Sequence, residues 1–257
     1  MATEQEKQEH CSQLLSLLSN YVTIEDMSTP NAVPRTARER ARAELTAEIV
    51  QSARAQLAQT GPADLSLRAV ARDLGMASSA VYRYFESRDA LLTRLIVDGY
   101  TALADSVDAA LETAGETGPQ KWAAIAGAVR GWAKQNPHEF ALLYGTPVPG
   151  YQAPADTIDP ATRGATRTIR MVAELREASR QTVQVEVPEV LGGQFDNLAE
   201  FAGVDRDDQA FVLGTMLWTA LFGFIGFELF GTWNNAFEPA DELFAAHVDA
   251  GSQLLFG

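Results

Sequence analysis

The chain has 257 residues, 46% hydrophobic and 21% charged, enough apolar material for one large or two small cores and too much for a disordered chain. Its one cysteine, Cys11, excludes an internal disulfide and fits a reducing cytoplasm, and its start, MATEQEKQEH, lacks the basic and apolar regions of a secretory signal. The formal net charge of -14 speaks against a nucleic-acid partner only until it is resolved by position: Arg35 to Asp98 carries ten arginines against eight acids, a balance of +2, which leaves -16 for the remainder. A slightly basic head on an acidic body suits a DNA-contacting domain with a soluble companion; ordinary charge scatter is the alternative.

In chain order, residues 1–26 carry a short amphipathic helix signal around Leu14, Leu15, Leu17 and Leu18, and Pro30 and Pro34 make 27–34 a linker. Leu45, Ile49, Val50, Ala53 and Leu57 have helical period, predicting a helix from Thr36 to Thr60 that Gly61-Pro62 ends. Ser66 is placed to cap a second helix running to Leu74, which Gly75 breaks. A third helix is expected over Ser78 to Phe85, and a fourth from Ser87 through Leu91, Leu95, Ile96, Tyr100, Leu103, Val107 and Leu111. Then follow a helix after Gly118-Pro119, another from Asn136-Pro137 to Gly145, a proline-rich loop over 146–158, and a helix from Asp159-Pro160 to about Thr182. Residues 184–204 read as irregular with at most a short turn. A long apolar helix runs from Asp205 to Phe230 and a last one from about Ala240 to Phe256. No segment reads as a strand, so the fold class is all-α.

Ala210 to Phe227 has no charged residue and is long enough to be considered as a membrane span. Its flanks are acidic (Asp205, Asp207, Asp208, Glu228), with only Arg206 opposing them, so the usual basic anchoring is missing and no membrane is expected. A helix apolar all round in a soluble protein is buried on all sides, here by its own core and by a partner subunit.

The segment Ser66 to Phe85 fits a helix-turn-helix. With Leu67 as the first position, the fifth is Ala71, where two helices cross and only a small side chain fits, and the ninth is Gly75, where the turn calls for positive φ. Val70, Leu74, Met76 and Val81 fall at the apolar positions joining the helices. A plain helical hairpin is the alternative.

The run from Gly75-Met76-Ala77-Ser78-Ser79-Ala80-Val81-Tyr82-Arg83-Tyr84-Phe85 through Glu86-Ser87-Arg88-Asp89-Ala90-Leu91-Leu92, with Leu65-Ser66-Leu67-Arg68-Ala69-Val70-Ala71 before it, resembles the signature of the tetracycline-repressor (TetR) family. Gly131-Trp132, Asn136-Pro137 and Tyr144-Gly145 are similar, less specifically, to one subgroup's ligand-binding domain. The resemblance implies a helix-turn-helix head over 35–86, after the 1–34 extension and linker, and a ligand-binding and dimerisation domain over 87–257. It implies a homodimer that binds a palindromic double-stranded DNA operator and is released by a small-molecule effector, repression being the commonest outcome.

By position the resemblance puts Ser66 and Arg68 near a phosphate and Ser78, Ser79, Tyr82 and Arg83 on the exposed face of the recognition helix. Tyr84 and Arg88 stand where the family often has histidine and lysine. Tyr82, Tyr84 and Arg88 then grip the DNA backbone, while Ser79 and Arg83 are the candidates for base edges. Ala77 departs from the commoner serine, which leaves its contact to Ser78 or unmade. Val81 and Phe85 read as core. Arg35, Arg38, Arg40 and Arg42 are placed to reach a minor groove or phosphates, a solvated helix start being the alternative.

In the body, Trp122, Trp132, Phe140, Tyr144, Tyr151, Met171, Trp218 and Phe222 are ordinary core singly and as a group can line an apolar cavity; Trp122, Trp132, Tyr144, Met171, Trp218 and Phe222 are the ligand-binding candidates. The acidic excess favours an apolar, neutral or cationic effector over an anion. His10, His138 and His247 lie far apart, and no metal-ligand spacing, phosphate-binding glycine loop or nucleophile elbow occurs, so neither an enzyme nor a cofactor is expected. The rival reading is a helical small-molecule-binding or interaction protein without sequence-specific DNA binding.

Overall fold

A computed structural model describes residues 36–176, 185–237 and 240–256. The expected N-terminal helix, the linker over 27–34, Cys11, Arg35 and the end of the helix expected to reach Thr182 lie outside these residues.

The described residues form ten α-helices and no strand. Helix α1 (Ala37–Thr60) opens on a reciprocal cap: the Thr36 hydroxyl accepts the Glu39 N–H at 3.2 Å and the Glu39 carboxylate accepts the Thr36 N–H at 2.9 Å. Helix α2 (Leu67–Asp73) and helix α3 (Ser78–Val81) form the helix-turn-helix. Ala71 is buried at their crossing, and Gly75 has φ +65°. A Cβ on Gly75 would meet nothing within 4 Å, so the turn requires glycine for its backbone conformation and not for space.

Helix α3 is shorter than the expected Ser78–Phe85. Its regular part stops at Val81, and Arg83 and Tyr84 donate instead to Ala80 and Val81, three residues back. This tighter winding drops Phe85 beside Val81 into the head core, which also holds Ile49, Ala53 and Leu57 of α1, Val70 of α2, and Leu91, Leu92 and Leu95 of the next helix. Each such aliphatic side chain contributes about 1.5–3 kcal/mol by leaving water.

Helix α4 (Arg88–Thr113) is capped by the Ser87 hydroxyl on the Ala90 N–H and runs from the head into the body. The body adds α5 (Gly118–Gln135), α6 (Pro137–Tyr144), α7 (Ile158–Arg176), α8 (Gly192–Ala202), α9 (Asp208–Leu229) and α10 (Ala240–Phe256). Asn136 precedes α6 as expected, but its amide turns back to the Trp132 carbonyl at 2.9 Å and closes α5. The sequence reading missed α8, expecting irregular chain there. Phe195, Leu198, Ala199 and Ala202 keep helical spacing, and the helix closes on Gly203 in the left-handed region. Helix α9 starts later than Asp205, because the Asp207 carboxylate caps Gln209 and Ala210, each at 3.0 Å.

Helix α9 is long and apolar enough to cross a membrane, and half of its most apolar window is buried inside the body. Phe211, Leu213, Leu217, Leu221 and Ile225 face the core, whereas Thr215, Met216, Thr219, Ala220, Gly223 and Phe227 are exposed. The helix is therefore not buried on all sides within one chain.

One ion-pair cluster ties α5 to the last two helices. The buried Arg130 guanidinium donates to both Glu228 oxygens, at 2.8 and 2.6 Å, and to Asp241 at 2.6 Å, and lies over the Phe244 ring. Those hydrogen bonds hold the Glu228 carboxyl below its ordinary value of 4.5. The pair's contribution is therefore present above pH 4.5 and is lost as pH falls through the lowered value. Arg130→Ala leaves Glu228 with Lys134, at 3.6 Å, as its remaining cationic partner, and urea denaturation at pH 7 should show a loss of about 1–3 kcal/mol that shrinks as the pH falls below 4.5. Equal losses at pH 7 and pH 3 would mean that packing, not the ion pair, is what Arg130 supplies.

Candidate DNA interface and sensing cleft

The head presents the expected face. Ser79, Tyr82 and Arg83 are exposed on α3 and the turn after it, with Tyr82 45% accessible; Ser78 and Tyr84 are half-buried. Arg68 is exposed on the first turn of α2. Ser66, Arg68, Tyr82 and Arg88 converge, with Leu65 and Leu67, on a shallow depression of about 290 Å³. Arg38 is exposed on the first turn of α1, away from the cores.

Three polar side chains hold that face in place, each in a way the sequence did not disclose. Arg88, expected only at a phosphate, donates to the carbonyls of Pro62 at 2.9 Å, Ala63 at 3.0 Å and Leu65 at 3.2 Å, so it staples the turn before α2 to the start of α4. Arg42, expected in a basic arm, reaches the Arg83 carbonyl at 3.5 Å and lies 5.0 Å over the Tyr84 ring, bracing the end of the recognition helix. Gln56 went unnoticed. It is buried, accepts the Ser66 N–H at 3.3 Å and donates to Asp73 at 3.3 Å, holding both ends of α2. Ser66 stands at the cap position, but its hydroxyl does not cap the helix. The only signal for Gln56 was a polar residue on the apolar face of α1, one position before Leu57.

In the body all six ligand candidates fall in one apolar cluster. Trp122, Trp132 and Met171 are buried, with Tyr144, Trp218 and Phe222 packed against them. The Tyr144 ring is 4.2 Å from Phe222, which is 4.6 Å from Trp218. Trp122 is fully enclosed, and its indole N–H donates to the Val248 carbonyl at 3.1 Å. Burial pushes the Tyr144 phenol far above its ordinary pKa, so it stays neutral.

A cleft of about 420 Å³ lies elsewhere, at the junction of head and body, lined by Ile96 and Tyr100 of α4, Leu142 and Leu143 of α6, Val148 and Tyr151 of the following loop, and Ile158, Ala161 and Thr162 of α7. Of the aromatic group read from the sequence Tyr151 lines it; none of the six ligand-binding candidates does, Tyr144 coming edge-on to Tyr100 at 5.8 Å. An open groove of about 910 Å³ between α7, α8 and the turn after α8 is acidic, with Glu174, Glu200, Asp205, Asp207 and Asp208 around Arg206.

Known proteins share this arrangement. Residues 49–95 match the family described as bacterial regulatory proteins, tetR family, and residues 122–251 match the tetracyclin repressor-like C-terminal domain. The chain is 43% identical over 206 residues to the HTH-type transcriptional regulator Rv1816 of Mycobacterium tuberculosis, covering 76% of this chain and 85% of that one. The same figures hold for the HTH-type transcriptional regulator Mb1846 of Mycobacterium bovis. The crystal structure of SCO4313 matches with a TM-score of 0.68 at 32% identity, over 84% of this chain and 98% of that one. A protein with unknown function from Rhodococcus sp. RHA1 has the same fold, with a TM-score of 0.62 at 24% identity over 83% and 96%. The three-helix head, the all-helical body and these relatives agree: the chain belongs to the TetR family, whose members are DNA-binding transcriptional regulators and not enzymes.

Proposed function

We propose that the protein is a homodimeric repressor that reads a palindromic operator through Ser66–Phe85 and leaves it when a small molecule binds the body. The observation that carries the reading is the exposed row Ser79, Tyr82 and Arg83 on a recognition helix whose other face, Val81 and Phe85, is locked in the head core. A short helix held this way enters the major groove with two or three side chains at base edges, as helix-turn-helix proteins do. Ser79 and Arg83 read bases. Tyr82 and Arg68, beside the depression at the start of α2, take phosphates, with Ser66, Ser78 and Tyr84 at the edges of the contact. Arg38 reaches the flanking backbone.

The partner for the exposed face of α9 is a second copy of the chain. Small residues at Thr215, Thr219, Ala220 and Gly223 let two such helices approach closely, with Met216 and Phe227 supplying apolar area. The dimer sets two recognition helices about 34–36 Å apart, one turn of DNA. An effector that binds better to another body conformation changes that spacing, and it acts only through this difference in affinity. The operator, and with it the working protein, is cytoplasmic.

Arg83→Ala should lower the ratio of operator to scrambled-DNA binding by about 1–3 kcal/mol in mobility shifts. Arg68→Ala should weaken both DNAs alike and reduce the slope of log affinity against log salt by about one unit. An unchanged ratio for Arg83→Ala removes it from base reading. Arg88→Ala behaves differently: it frees three carbonyls and should lower the head's resistance to thermal unfolding before any DNA is added, whereas a loss confined to DNA binding would contradict the staple. Sedimentation without DNA should give a dimer at micromolar concentration, shifted toward monomer by Gly223→Arg; a wild-type monomer would sink the dimer reading.

A further inference from the structure

Given the reading of Arg83 as a base contact, we propose that Arg42 determines operator specificity without touching a base: from α1 it fixes the turn that follows α3, and so holds Arg83 in the pose that reads the operator. Arg42 is then a positioning residue and not a phosphate contact.

The regular part of α3 ends at Val81, so Tyr82 and Arg83 are presented from a short turn and not from a helix. In that turn the N–H groups of Arg83, Tyr84 and Phe85 donate back to the carbonyls of Ala80, Val81 and Val81, at 3.2, 2.9 and 3.1 Å. The Arg83 carbonyl lies beyond this ladder. Among the described residues it accepts from no backbone N–H, and its partner is the Arg42 guanidinium at 3.5 Å. A bond of that length is weak alone. The same guanidinium lies 5.0 Å over the Tyr84 ring, so one planar group holds two consecutive residues, one by its carbonyl and the next by its ring.

Arg42 reaches this turn from 41 residues earlier in the chain. On α1 it shares a face with Leu45, Ile49 and Ala53, which pack in or against the head core, so its direction is set by the face that α1 buries. Glu39, one turn before it, is taken up by the cap at Thr36, and among the described residues Arg42 forms no ion pair that would draw it away. The Arg83 side chain is exposed and forms no ion pair among the described residues either, so what the protein holds of Arg83 is its backbone. An arginine discriminates guanine only with its flat fork set against the base edge. If the turn beneath it is free to shift, part of that discrimination goes into ordering the turn on binding. Arg42 removes this freedom in advance.

Selection from a library of random duplexes gives the base preferences of the full-length wild type, Arg42→Lys and Arg83→Ala. Lysine keeps a cation for phosphates but loses the flat face and the fork that stack and bond here. Arg42→Lys should therefore lose preference at the base positions that Arg83→Ala also loses, and keep the others. On the selected site it should lower the ratio of operator to scrambled-DNA binding by about 3–10-fold, with the salt slope unchanged. In the Arg83→Ala background the same substitution should cost less than about twofold in that ratio. Without DNA, amide exchange in a peptide over 78–86 should run about threefold faster or more, with the thermal unfolding of the head near that of the wild type. Preferences fully kept by Arg42→Lys would make Arg42 at most a phosphate contact and overturn this role. Loss spread over the whole site, a ratio loss undiminished in the Arg83→Ala background, or unchanged exchange would overturn it too. A wild type that selects no sequence sinks the regulator reading, and Arg83→Ala with every preference kept sinks the base contact. The specificity role falls with either, while the exchange measurement still judges whether Arg42 holds the turn.

Discussion

Helix α4 belongs to two cores at once, and the rest of the molecule depends on that sharing. Leu91, Leu92, Leu95 and Ile96 are buried with the head helices, and Leu103 and Val107 are buried with α5 and α9. No glycine-rich or proline-rich hinge separates the two sets; they follow one another along one continuous helix of 26 residues. The head therefore cannot rotate freely on the body. Any change of its direction must tilt α4 as a rod or repack side chains around it, and packed interfaces tend to switch between discrete arrangements. The cleft beside Tyr100 is where α4 passes from one core to the other.

The recognition helix has a different problem. Four residues are far too few for a helix to stand alone in water. Helix α3 persists because its ends and neighbours are held: Val81 and Phe85 from below, Arg42 at the Arg83 carbonyl just past its end, and the turn before α2 through Arg88 and Gln56. These bonds are made to backbone groups, so they fix the path of the chain and leave the side chains facing outward to vary. A head built this way keeps its geometry while the outward side chains, Ser79 and Arg83 among them, are free to vary.

Gly75, Ala71 and Val81 were legible in the sequence because each residue type answers a local demand of the turn: positive φ, a small crossing residue, an apolar anchor. The long helices were legible from apolar periodicity and caps. Helix α8 was not, because Gly192-Gly193 and Asn197 mask a good apolar spacing. The staples were hidden for another reason. Arg88 and Arg42 bond to carbonyls far along the chain, and a long flexible side chain gives no local sign of where its head will go. The cleft was hidden because it is made by how elements leave space, with Ala161 and Gly99 at the approach of α7 and α6 to α4. Aromatic residues mark where a core is dense, and most of the group read from the sequence falls in that dense cluster, with Tyr151 alone among them on the cleft.

The same sorting of arginines explains how a chain of net charge -14 can act on DNA. Several head arginines are spent internally: Arg42 and Arg88 on carbonyls, Arg54 on Glu139, Arg94 on Asp98 at 2.7 Å. Among the described residues Arg38, Arg40, Arg68 and Arg83 form no ion pair, and all four are exposed. With Arg83 proposed to read bases, phosphate contact by these arginines would fall to Arg38, Arg40 and Arg68, and the non-specific, counterion-driven part of binding would be modest. The acidic body lowers it further by repelling the duplex wherever the head is not docked. On the proposed reading, a protein arranged in this way gains little by resting on arbitrary DNA, and its occupancy is governed by base contacts and by the spacing of two heads. Those are the quantities that a tilt of α4 changes.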